Sequence, residues 1–153
     1  MVTIFIKKNG EFFVEMLPQG QAFDSNYFRK AIIPQIYQLA FPQGTTKYTK
    51  KALLHFDNAP SHKEHRAIET LNDGPFNLIL NPPYSPDIAP LNFDVFGTIK
   101  EMMPSESGES DEELKETIIG ILQKLGKSFI KKVFQAWIKR LEKVIALNGL
   151  YIK

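Results

Sequence analysis

The chain has 153 residues, 43% apolar and 24% charged, proportions that fit one soluble globular domain and exclude a disordered tail or a collagen-like fibre. It has no cysteine, so disulfides, thiol chemistry and cysteine-ligated zinc are excluded. The net charge of +2 says little about partners, and no run approaches the roughly 18 uninterrupted apolar residues of a membrane span.

Val2 to Ile6 is a short apolar run, Asn9-Gly10 follows, and Glu11 to Leu17 is rich in Phe and Val. Asn-Gly between two such runs predicts a β-hairpin. Asp24 or Ser25 can cap a helix running to about Ala40, with Pro34 kinking it or marking its true start. Residues 42–51 form a polar connector. Ala52 to Phe56 reads as a buried strand with Asp57 at its carboxyl end. Ser61-x-x-Glu64 is a capping box opening a helix that ends near Asn72-Asp73-Gly74. Phe76 to Leu80 is a second buried strand, and strand–helix–strand implies a parallel pair. Four prolines (82, 83, 86, 90) forbid regular structure across the next segment.

Pro90 is placed to start a helix carrying Phe93, Phe96 and Ile99. Ser110-x-x-Glu113 is another capping box. Its helix aligns Leu114, Ile118, Ile121, Leu122 and Leu125 in one stripe and stops at Gly126. Ser128 opens a last helix with Phe129, Val133, Trp137, Leu141 and Ile145 on one face, ended by Asn148-Gly149. The order predicts an α/β architecture, a mixed sheet with helices against it.

Charge is unevenly spread. Residues 124–153 hold eight basic side chains and one acid, Glu142, whereas residues 106–116 hold six acids and one base, Lys115. A basic terminal helix, with Lys131, Lys132 and Lys139 on it, suits phosphates. A solvated helix face is the plainer reading of the same pattern.

Asp57 falls where open α/β sheets place their sites, outside the carboxyl end of a strand. The second strand delivers the proline-rich loop to the same edge, with Asp87, Asn92 and Asp94. Acids at one sheet edge suit a hard, oxygen-ligated cation such as Mg²⁺, and two such ions can clamp the oxygens of a phosphoryl transfer. Taken singly, Asp57 also reads as a turn or cap residue and Asp87 as a turn acid.

The segment His55-Phe56-Asp57-Asn58-Ala59-Pro60-Ser61-His62, followed by Asn81-Pro82-Pro83-Tyr84-Ser85-Pro86-Asp87-Ile88-Ala89-Pro90-Leu91-Asn92-Phe93-Asp94-Val95-Phe96, resembles the catalytic core of mariner-type transposases and their bacterial insertion-sequence relatives, in the DDE superfamily. The resemblance covers nearly the whole chain. It implies a ribonuclease-H-like mixed sheet with flanking helices, spanning 1–103, and C-terminal helices over 110–153. It implies metal-dependent DNA cleavage and strand transfer with three acids that hold Mg²⁺ or Mn²⁺. Asp57 matches the second acid. The third position, separated from it by 34 residues, holds Asn92, an amide that brings no charge to a metal. Asp94 stands two residues on, about 200° round a helix, and does not simply substitute. The first acid of the pattern has no match, nor does the first, central strand that carries it or the preceding helix-turn-helix region.

The expectation is therefore a C-terminal part of a transposase catalytic domain, impaired in catalysis, with Asp57 and Asn92 as metal and catalytic positions. DNA is the implied partner, at element ends and target. A chain supplying the missing N-terminal part and a homodimer stand open, and no membrane partner is expected. The opening MVTIFIKKNG shows no secretory pattern, so a cytoplasmic location is expected, at the nucleoid if bacterial. The alternative is a non-catalytic nucleic-acid-binding or assembly module, or a non-functional remnant. His55, His62 and His65 lack the spacing of a metal trio. Tyr84 can stack on a flipped or terminal base, with packing of the proline loop the plainer expectation. Arg29, Lys30, Lys47, Lys50 and Lys51 suit phosphates or solubility alike.

Overall fold

The structure, a computed structural model, describes residues 1–43, 51–56, 65–105 and 110–150. Asp57, His62, Lys47, Lys50 and the Ser61-x-x-Glu64 box lie outside those residues. The chain divides into two units, Met1–Met16 with Tyr84–Lys153, and Leu17–Pro83.

In the first unit, β1 (Val2–Ile6) and β2 (Phe12–Met16) pair antiparallel, with Ile4 opposite Val14. The turn closes by Lys7 N–H donating to the Glu11 carbonyl at 2.7 Å and Gly10 N–H to the Lys7 carbonyl at 2.9 Å. Gly10 sits at φ +89°, the left-handed position that a three-residue hairpin loop gives to glycine. A hydrogen bond from the Lys7 ammonium, with a second from Asn9, holds the Glu11 carboxyl below the usual carboxylate range. Alternation splits the hairpin into two faces. Phe5 and Phe13 stack at 5.2 Å on one, while Ile4 and Val14 are buried on the other.

That buried face meets helices from the far end of the sequence. Ile4 and Val14 cluster with Val95, Ile99, Ile118, Ile121, Leu122 and Val133. Val95 closes a wide π-type turn (Leu91–Val95) that runs on into an α-helix, Phe96–Met102. Ile118 to Val133 belong to a long helix, Asp111–Ala146. The Ser110 hydroxyl caps it by accepting from Glu113 N–H at 3.2 Å. Lys115 anchors its first half to Glu15 of β2 at 3.2 Å. At Gly126 the backbone leaves helical geometry (φ +69°, ψ −179°), so the expected stop is there, and a second helical stretch continues directly beyond it.

Of the apolar residues in the helix that follows Pro90, Phe96 is 38% exposed and Val95 and Ile99 are buried. The wide turn shifts the phase by one residue, so Leu91, Val95 and Ile99 face the core at four-residue steps. In the last stretch the apolar stripe loses cover along its length: Val133 is buried, Trp137 and Leu141 are half-buried, and Ile145 is 76% exposed. The core cluster of the hairpin reaches Val133 and no further along the helix.

In the second unit, Asp24 caps the first helical turn, its Oδ1 accepting from Tyr27 N–H at 2.8 Å. Ser25–Tyr27 leads into a π-type turn, Phe28–Ile32, and then an α-helix, Ile33–Ala40. Pro34 lies at the start of that last helix, where its missing N–H is harmless, and the wide turn before it is the break that Pro34 predicts. Phe28, Ile32, Ile33 and Ile36 are buried. Here β3 (Ala52–Phe56) and β4 (Phe76–Leu80) pair parallel, with Ala52 opposite Phe76 and Phe56 opposite Leu80. A helix, His65–Asn72, buries Ala67 and Leu71. Phe28 meets Phe56 at 6.4 Å, and Tyr37 meets Phe76 edge-on at 4.9 Å. The described strands thus make two two-stranded sheets, β1-β2 and β3-β4.

Candidate functional site

β3 ends at Phe56, so the chain reaches Asp57 at the carboxyl end of a parallel strand; Asp57 itself is outside the described residues. The neighbouring strand leaves the same edge. Asn81, one residue past β4, is buried, and its N–H donates to the Phe56 carbonyl at 3.3 Å. Its Nδ2 donates to the Pro82 carbonyl at 3.2 Å. The polar strand ends are thereby paired at the point where function was expected.

The proline loop continues in the first unit. Tyr84 is 97% exposed and adopts φ +55°, so it does not pack the loop as expected. A 3-10 turn, Pro86–Ile88, follows, and Ala89 N–H donates to the Pro86 carbonyl at 3.2 Å. Asp87 is buried, and its main-chain carbonyl accepts from Arg140 Nη1 at 3.1 Å. The same guanidinium stacks over the Phe93 ring at 4.3 Å from the centroid, a cation–π contact. Arg140 therefore ties the last helix to both ends of the Asp87–Phe93 turn. Sequence reasoning counted it only as one more positive charge, and nothing local marks it.

Asn92 is exposed on this turn, with its N–H donating to the Ala89 carbonyl at 2.9 Å. Asp94 is half-buried, and its carbonyl accepts from the Thr98 hydroxyl at 3.0 Å. Among the described residues no group of three His, Cys, Asp or Glu side chains is placed to hold a metal ion. Asp57 lies outside those residues, and Asn92 brings a neutral amide, whose oxygen can ligate a hard cation without balancing its charge. His65 is exposed and pairs with Glu69 at 3.0 Å on its own helix, which separates it from any metal role.

Lys131, Lys132 and Lys139 are all exposed. Lys132 and Lys139, seven residues apart, share a helix face, and Lys131 stands about 100° round from Lys132. Lys30 and Lys51 are exposed, and Arg29 is half-buried.

No protein-family model matches the chain. Two curated proteins are similar along all of it. Histone-lysine N-methyltransferase SETMAR of Homo sapiens is 24% identical over 151 residues, 99% of this chain and 22% of that protein. Mariner Mos1 transposase of Drosophila mauritiana is 23% identical over 155 residues, 100% of this chain and 45% of that protein. The chain thus spans less than half the length of either relative. Among solved structures, the catalytic domain of Mos1 transposase superposes with a TM-score of 0.85 at 21% identity, covering 99% of this chain and 75% of that one. The Mos1 paired-end complex with Mn gives the same TM-score over 99% of this chain and 44% of that one. Along its whole length the chain is similar in sequence to mariner Mos1 transposase, and its fold is that of the Mos1 catalytic domain.

Proposed function

We propose that the chain is the C-terminal part of a DNA transposase catalytic domain, whose family activity is metal-dependent DNA cleavage and strand transfer. The observation that carries this reading is the 23% identity to Mos1 transposase across the entire chain. Asp57 is then a ligand for Mg²⁺ or Mn²⁺, and Asn92 occupies the third-ligand position. Relatives solved with Mn or Mg support the choice of cation. The Mos1 paired-end complex with the left transposon end supports DNA as the partner, with Lys131, Lys132 and Lys139 on its phosphates.

Asn92 offers no charge to balance a divalent ion, so catalysis is weak. Purified chain with Mg²⁺ or Mn²⁺ is expected to nick DNA slowly, and Asp57→Ala to abolish nicking in a gel assay. Nicking that survives Asp57→Ala overturns the site. Asn92→Asp alone is expected to leave the rate low, because residues 1–153 hold no match to the first acid of the family pattern. Besides DNA, the candidate partners are a chain supplying the N-terminal part of that pattern and, as a homodimer, a second copy of this chain. Co-purification followed by light scattering separates the two.

A second reading is favoured by the neutral Asn92 at the third-ligand position and by the exposed lysines of the last helix: a DNA-binding or assembly module without catalysis. Affinity for duplex should then fall steeply with salt. Reversing Lys131, Lys132 and Lys139 to Glu should lower the slope of log K against log salt by at least about one unit per lysine. Binding insensitive to salt overturns this reading.

A further inference from the structure

We infer that Tyr84 is a stacking platform for an unpaired nucleobase of DNA. The inference rests on the DNA-binding reading above and adds to it a site on the protein and a state of the DNA.

Its phenol is 97% exposed, whereas a tyrosine ordinarily buries the body of its ring and shows only the hydroxyl. The backbone beneath it is in the left-handed region, φ +55°, which side-chain-bearing residues rarely adopt and which marks functional sites when the surroundings enforce it. On its C-terminal side Tyr84 is followed by Ser85, which Pro86 restricts, and then by the Pro86–Ile88 turn. Arg140 then holds the Asp87 carbonyl at 3.1 Å. An aromatic ring with open faces is thus presented on a stiff stalk, and little freedom is lost when a flat partner settles on it.

The chemistry selects the partner. Residues 74–86 carry no charged side chain, so the ring offers its π-face and hydroxyl and no ionic handle. A nucleobase is flat, has a π-face whatever its sequence, and stacks on aromatic side chains. Within a duplex those faces are already covered by neighbouring bases. Only a single-stranded, terminal or flipped-out base can reach the ring.

The test compares the full wild-type chain with Tyr84→Ala and Tyr84→Phe. The ligands are a single strand carrying one 2-aminopurine and a relaxed, closed-circular duplex containing the same sequence, which has no terminal base. Wild type and Tyr84→Phe are expected to quench the 2-aminopurine emission. Tyr84→Ala should not quench it, and should bind the single strand at least about fivefold more weakly. All three should bind the circular duplex within twofold of one another and melt at the same temperature, since the ring is exposed. Equal quenching and equal single-strand affinity in Tyr84→Ala would overturn the inference while leaving the DNA-binding reading intact. So would a wild type that binds duplex alone. A wild type that binds neither ligand overturns both.

Discussion

Gly74 is confined by a neighbour and not by its own backbone. A Cβ built there would collide with the Tyr37 hydroxyl, and Tyr37 cannot yield freely because its ring meets Phe76 edge-on at 4.9 Å. Gly74→Ala should therefore cost about 1–3 kcal/mol in a urea titration, the usual range for overpacking. Gly126 is the converse. Nothing lies within 4 Å of its Cβ position, but its φ of +69° strains any side-chain-bearing residue. The sequence shows both glycines as chain punctuation and cannot say which constraint applies, because one is conformational and the other depends on a residue 37 positions away. The same holds at the candidate site. Asn92 in place of an acid is visible in the sequence itself, whereas Arg140 gripping the Asp87 carbonyl joins residues 53 apart. Tyr84 shows the limit from the other side: the prolines around it predict a stiff loop, and burial then decides that the loop turns its ring outward.

Elements were legible wherever a local rule sufficed. Asn9-Gly10 turns the hairpin, Asp24 and Ser110 cap, Gly126 interrupts, and β3 and β4 pair parallel as strand–helix–strand implies. What periodicity misplaced was phase. Two wide turns, Phe28–Ile32 and Leu91–Val95, each rotate the following helix relative to a constant 3.6-residue period. Burial also fades along the last helix, which no repeat of apolar residues discloses. Leu122→Ala, at 2% exposure, should cost about 2–5 kcal/mol. Ile145→Ala, on the same helix, should stay within about 0.5 kcal/mol. Chemical denaturation of the two variants measures both, and equal losses would show that the distal turns are covered in solution.

At the scale of the molecule, the sequence conveyed the class of fold and the family likeness. Apolar side chains of the hairpin and of the last helix bury one another, a pairing of the two ends of the chain that no local pattern discloses. Residues 17–83 are one continuous stretch, whereas the other unit joins residues 1–16 to residues 84–153. Synthesis runs from the N-terminus at about 5–20 residues per second. The hairpin is therefore made before the last helix and leaves the ribosome with Ile4 and Val14 uncovered. It must wait for Val133 to be made, which at that rate takes roughly 6–24 seconds. The inserted stretch has all its own parts before then. A bare apolar hairpin during that interval is open to capture by other nascent chains, so the yield of folded protein is governed by how quickly the ribosome reaches the last helix.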